Sequence, residues 1–231
     1  ELWVGSDERT CTDFDPIYGV WQATCYDFKA TGQHVPEVMK YYIPENGDAT
    51  AFSMFRNVAR DEADWQITHA LSAAESSIDT MQVNFTLQMV CDLDILYDVC
   101  TFNEALPYME GLLEGAENGA NVRILIKGEP VDGIESAVAL AILKEEIEKR
   151  DLQDKIEIRY FDGPMHYKSI NIDDELVIVG SQNFHYSALQ PLSGLAEYNL
   201  GVIDGEAVSD YKSLFEYHWE QGIPSEINPG E

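Results

Sequence analysis

The chain has 231 residues, with 14 Lys and Arg against 42 Asp and Glu, a formal net charge of −28 at pH 7. Such a surface repels phosphate backbones and anionic lipid over a Debye length of about 10 Å, which argues against sequence-independent nucleic-acid binding through a basic face. With 45% hydrophobic and 11% aromatic residues the chain is too apolar for a disordered acidic polymer, and no apolar run approaches the ~20 residues that cross a bilayer.

Residues 1–50 show no sustained period. They hold Asp13, Asp15, Pro16, Gly19, Gly32, Pro36, Pro44, Asn46 and Gly47, which are turn formers, and read as an N-terminal extension or linker before a domain expected over 51–221. The first residue is Glu1, with neither Met nor a signal h-region, which points to a removed leader or a piece of a longer protein. Neither Cys11 and Cys25 nor Cys91 and Cys100 have the C-x2-C spacing of a zinc ribbon or redox site. Two local disulfides, Cys11–Cys25 and Cys91–Cys100, are the preferred connectivity, and a secreted or otherwise extracytoplasmic location follows; four small buried thiols in a cytosolic protein are the alternative.

From about Phe52 the pattern becomes regular. Apolar positions at helical spacing (Trp65, Ile67, Ala70, Leu71, Ala74) predict a helix ending near Ser76, and Ile78 to Phe85 predict a strand. Asn84-Phe85-Thr86 matches a glycosylation sequon but falls inside that strand, so coincidence is the better reading. Cys91 and Cys100 bracket an acidic loop holding Asp92, Asp94 and Asp98. Asn103-Glu104 opens a second helix with Leu106, Met109, Leu112, Leu113 and Ala116 on one face, and Asn118-Gly119 stops it. Val122 to Ile126 reads as a short buried strand, Ile134 to Lys149 as an amphipathic helix, and Ile156 to Phe161 as the next strand. This βαβαβ alternation predicts an α/β fold, a mixed, mostly parallel sheet with helices on both faces.

After Gly163-Pro164, two apolar strands, Lys168–Ile172 and Leu176–Val179, flank Asp173-Asp174-Glu175 and read as a hairpin. A loop over about 187–194 leads to a strand from Glu197 to Ile203 and a last helix carrying Val208, Tyr211, Leu214, Phe215 and Trp219. Residues 222–231, rich in Pro, Gly and Ser, read as a flexible tail.

Among His34, His69, His166, His185 and His218, only His166 has a lysine two residues on. At the start of a strand, alternation sends His166 and Lys168 to the same face, where an imidazole and an ammonium meet one ligand. Strand alternation likewise puts Ser181 and Asn183 of Gly180-Ser181-Gln182-Asn183 on one face, and glycine at 180 permits close approach by backbone or ligand. A His, a Lys, a Ser and an Asn on one side of a sheet suit a phosphoryl group: cation and amide bind its oxygens, and the imidazole attacks or protonates.

These residues resemble the signature of the phospholipase D superfamily, H-x-K-x4-D followed by G-S/G-x-N, with His166, Lys168, Asp173, Gly180, Ser181 and Asn183 in order and spacing. The resemblance covers roughly residues 52–220 and looks like one complete half of such an enzyme. It implies a ping-pong phosphodiester exchange in which His166 attacks phosphorus and a second histidine protonates the leaving alcohol. It further implies that Lys168 and Asn183 hold the non-bridging oxygens, with Gly180 in the substrate-binding set. Asp173 is then a supporting residue that does not touch phosphate, and Ser181 with an acidic residue, here Glu197, orients the imidazole. This chemistry requires no metal and no cofactor.

The family's active site needs two H-x-K motifs, and this chain has one. The expected partner is therefore a second copy, forming a homodimer with a shared site as in the family's small single-motif nucleases, or a separate half carrying its own motif. Three functions are expected in turn: a secreted phosphodiesterase on a phospholipid or another small phosphodiester; a single-motif endonuclease, disfavoured by the charge; and a non-catalytic extracellular structural subunit, disfavoured by the intact motif.

Overall fold

The structure, a computed structural model, describes residues 14–15, 20–21, 50–56, 62–83, 85, 107–128, 134–185 and 195–225. The expected disulfide cysteines Cys11, Cys25, Cys91 and Cys100, the acidic loop and Asn84 lie outside the described residues. Contacts divide the chain into two units, Glu1–Asp48 and Ala49–Glu231. In the first, β1 (Phe14–Asp15) pairs antiparallel with β2 (Val20–Trp21).

The second unit runs β3 (Thr50–Arg56), α1 (Glu62–Ser72), β4 (Ser77–Gln82), α2 (Pro107–Glu117), β5 (Asn121–Lys127), α3 (Ile134–Lys149), β6 (Ile156–Phe161), β7 (Lys168–Ile172), β8 (Leu176–Gly180), β9 (Glu197–Ile203), α4 (Gly205–Trp219) and β10 (Ile223–Pro224). The strands form an 8-stranded sheet in the order β10-β6-β5-β4-β7-β8-β9-β3. The sheet is mixed and lies between helices, as the sequence predicts. It is not mostly parallel: among the described strands of this sheet only β4–β5 and β5–β6 pair in parallel, and the other strand pairings are antiparallel. The reason lies in the connections. A parallel pair needs a long crossover, which α2 and α3 supply, whereas the tight turn at Asp173–Glu175 permits only an antiparallel return.

Alternation along the strands sorts side chains between two layers. Val122, Ile124 and Ile126 of β5, with Ile78, Ile158, Ile170 and Ile178, form one core with Ile67, Leu71, Leu112, Leu113 and Leu143 of α1, α2 and α3. Met81, Leu125, Phe161 and Val177 face the other way and meet Val208, Tyr211, Phe215 and Trp219 of α4. Helix α1 buries Ala63, Ile67 and Leu71, while Trp65, one of the apolar positions that predict the helix, is 53% exposed. Helix α2 stops where expected: Gly119 takes φ +116°, and Ala120 N–H donates to Gly115 O at 3.1 Å, a Schellman closure. Asp204 caps α4 by accepting from the backbone of Glu206 and Ala207 at 3.0 and 2.9 Å.

Two elements depart from expectation. β3 lies inside and ahead of a stretch read as the onset of regularity; as an edge strand it buries only Met54 and Arg56, so its pattern carries little alternation. Within the tail expected from 222 onward, Ile223–Pro224 pairs with Arg159–Tyr160 and Ser225 N–H donates to Ile158 O at 2.8 Å, and residues 226–231 lie outside the described residues. Proline suits that position at a sheet edge.

Candidate active site

Met165 is buried among the α4-side apolar residues, which anchors the chain just before β7 and leaves His166 exposed. Lys168 opens β7 opposite Gln82 of β4. Its ammonium lies 3.1 Å from His166 Nδ1 and 3.3 Å from Nε2, and donates to the His166 carbonyl at 3.2 Å. An ammonium only donates, so the ring contact is to a nitrogen bearing a lone pair. Burial pushes the Lys168 pKa down from its ordinary value, and the negative charge of Glu197 opposes that push.

The second arm of the site leaves the sheet at Gly180, the last residue of β8, so Ser181 and Asn183 sit just past the strand rather than on it. Gly180 is required here. It faces Asn199 of β9, and a Cβ on it would lie 2.1 Å from Asn199 Oδ1 and 2.5 Å from Tyr198 O. Ser181 Oγ donates to Glu197 Oε2 and accepts the Tyr198 backbone N–H at 3.1 Å. Glu197 is 7% exposed, so this carboxylate is held by the serine in a largely dry position. Asn183 is half-buried, and its Oδ1 is buried with no hydrogen-bond partner among the described residues. The next residue fixes it: Phe184 stacks on Tyr108 at 4.2 Å and meets Phe85 edge-on, and Phe184 N–H donates to Gln82 Oε1 at 3.3 Å.

Asp173 lies elsewhere. It sits beyond the far end of β7, a strand of 5 residues and so about 17 Å long. Its carboxylate accepts the backbone N–H groups of Glu75, Ser76 and Ser77, and its own N–H donates to Ser77 O at 2.8 Å. The structure thus brings together His166 with Lys168, and Ser181 with Glu197, and gives Asp173 the task of tying the β7–β8 turn to the start of β4. His218 is on the α4 side, donating from Nδ1 to Leu214 O at 2.9 Å between the edges and faces of Phe161, Tyr167 and Tyr217. His69 lies on α1 near Trp65.

The sequence reading missed a group of buried polar residues behind the site: Arg56, Asp64, Gln82 and Asn199, together with Gln182, which the motif leaves unspecified. No local signal marks the first four. Gln182 could have been found only from its place between two site residues, since β8 ends at Gly180 and alternation does not extend to it.

The cardiolipin synthase PLD-like domain model matches residues 67–219, well over half of the chain. The chain belongs to the phospholipase D-like family. Nuc, a phospholipase D family member from Salmonella typhimurium, has the same fold with a TM-score of 0.58, at 19% identity over 77% of this chain and 99% of that one. NucT from Helicobacter pylori gives a TM-score of 0.55 at 17% identity, over 77% of this chain and 100% of its own. Phosphatidylserine synthase from Haemophilus influenzae Rd KW20 gives 0.56 at 12% identity over 78% of this chain, which spans 41% of that protein. No curated protein matches. Membership of this phosphodiesterase superfamily makes the chain a phospholipase D-like protein with enzyme relatives, and among its described residues no helix is long and apolar enough to cross a membrane.

Proposed function

We propose that the chain is a phosphodiesterase that works through a phosphohistidine on His166. The contact between Lys168 and His166 carries this reading, because it sets a cation beside a nucleophile at the mouth of a polar site. In the first step an imidazole nitrogen of His166 attacks phosphorus, the bond to one ester oxygen breaks, and a second histidine gives that oxygen its proton. In the second step water or another alcohol loses its proton to the second histidine, attacks phosphorus, and the P–N bond breaks to free His166. Lys168 and Asn183 hold the non-bridging oxygens, where charge grows, by charge-assisted hydrogen bonds. The Ser181–Glu197 pair orients the attacking or protonating imidazole.

The second histidine comes from a partner, either another copy of this chain or a separate motif-bearing half. The whole-length match to Nuc and NucT supports a chain of one-motif size. The net charge of −28 favours a small or overall neutral diester, such as a zwitterionic lipid head group, over a polyanion. A single-motif endonuclease is the second reading, favoured by the same whole-length match and opposed by that charge. The expected compartment remains extracytoplasmic, on the cysteine spacing.

The test is to mix the protein with bis(p-nitrophenyl) phosphate, quench in base, and map the adduct. A base-stable, acid-labile phosphoryl group on His166 is the expected result. Full turnover by His166→Ala would overturn the reading, and turnover by a strictly monomeric protein in sedimentation would overturn the shared site. Affinity for duplex DNA that falls steeply with salt would move the assignment to the endonuclease.

A further inference from the structure

Behind the exposed half of the site runs a chain of buried polar side chains. Arg56 of β3 is 0% exposed, and its Nε lies 3.0 Å from the carboxylate of Asp64 on α1. Asp64 Oδ1 accepts from Gln182 Nε2, Gln182 Oε1 accepts from Asn199 Nδ2 at 2.6 Å, and Asn199 Oδ1 accepts the Gln182 backbone N–H at 3.3 Å. Arg56 Nη1 reaches Leu195 O at 2.8 Å, just before β9, and Arg56 is the register partner of Glu197. Each amide uses both its ends, so neither side chain can flip without breaking two bonds.

We propose that Arg56 and Asp64, acting through Gln182 and Asn199, are positioning residues that set Ser181 and Asn183 against Glu197. The chain holds both arms of the site at once: Gln182 lies between Ser181 and Asn183, and Arg56 grips the segment that delivers Glu197. Burying an ion pair gives little net stability compared with an apolar pair of the same volume, so its worth lies in fixing one geometry among several that apolar packing would allow. The catalytic meaning of this inference rests on the phosphodiesterase reading; the positioning itself does not.

Gln182→Glu places two carboxylates together and breaks the chain, whereas Asp64→Asn with Gln182→Glu restores it with donor and acceptor exchanged. Native-state hydrogen exchange is read at the Gln182 and Tyr198 amides, which end on Asn199 Oδ1 and Ser181 Oγ, with β5 and β6 as internal reference. Gln182→Glu should lose protection at those two amides by at least tenfold with β5 and β6 unchanged, and the double variant should regain it. With bis(p-nitrophenyl) phosphate, the single variant should lose kcat about 30-fold with KM within threefold, as expected when orientation is lost but binding is kept, and the double variant should recover most of it. Unchanged exchange at Gln182 and Tyr198, or loss spread evenly over the sheet, would overturn the proposal. So would local deprotection with kcat intact. Should the wild-type protein leave diesters uncleaved, the enzymatic reading fails, and the exchange result decides the positioning by itself.

Discussion

Asp173 is bonded to Ser76 across 97 residues of sequence: its Oδ1 accepts the Ser76 backbone N–H at 2.7 Å. The same carboxylate takes the N–H groups of Glu75 and Ser77, so it gathers three backbone donors from the turn that joins α1 to β4. Asp173 and Asp174 hold φ of 55° and 57°, and Glu175 N–H donates to Ile172 O, which makes the turn type I′.

That relationship separates backbone from carboxylate. Asp173→Gly relieves the left-handed conformation and still removes the acceptor, so it should lower stability by about 2 kcal/mol, or about 5 °C in Tm. Turnover per folded molecule should stay within twofold of wild type, because the carboxylate is remote from His166. Calorimetry and single-point kinetics check this, and a Tm equal to wild type would remove the assigned role.

Lys168 should set the alkaline limit of the proposed activity. Burial depresses its folded-state pKa below the ordinary 10.5, while Glu197 pushes it back up. The charged form therefore costs stability below the folded pKa, and that cost fades as pH rises toward 10.5. Activity needing the ammonium should fall on the alkaline side before an ordinary lysine would titrate. Lys168→Arg should carry that limb to higher pH, and Glu197→Gln, by removing the opposing charge, should carry it lower. A kcat/KM profile measured from pH 6 to 11 would reveal the order, and an alkaline limb that ignores both changes would assign it to another group.

Asp79 is 2% exposed and bound bidentately by Arg123, with both bonds at 2.7 Å. Burial pushes its pKa up and the guanidinium pulls it back down. Arg123→Met strands the carboxylate and should cost about 3 kcal/mol at pH 7. The deficit should shrink as pH falls, because a folded-state pKa raised further lets Asp79 take up its proton earlier. Asp79→Asn with Arg123→Met should recover most of the loss in urea melts; a double variant as weak as the single would place the cost in the Arg123 stack on Phe215 at 4.7 Å instead.

At Gly180, a methyl group collides with Asn199 and Tyr198. Gly180→Ala should lose about 1–3 kcal/mol and lose activity beyond what the unfolded fraction explains, because β9 must move and carries Glu197 with it. Thermal melts beside kcat of the folded protein test this.

The elements that were legible are those whose pattern is set by burial. Ile134–Lys149, Ile156–Phe161, Lys168–Ile172 and Glu197–Ile203 have the expected bounds, since apolar spacing records which face meets the core. β3 was not legible, because an edge strand buries too few side chains to leave a period. At the site, His166 and Lys168 meet although His166 lies ahead of β7, so their two-residue spacing was readable but strand alternation does not explain the contact; the glycine at 180 was readable from its place beside the motif.

The sequence by itself determined the residue types of the site, the layering of helices on a mixed sheet, and the acidic character that disfavours polyanions, all properties of composition and short periods. Only the tertiary structure decided which distant groups share the interior. Arg56 meets Leu195 across 139 residues and Asp64 meets Gln182 across 118, and Asp173 leaves the chemistry to hold a turn. A hydrogen bond specifies only a donor and an acceptor, so no spacing in the chain announces its partner until the sheet has set the strand order.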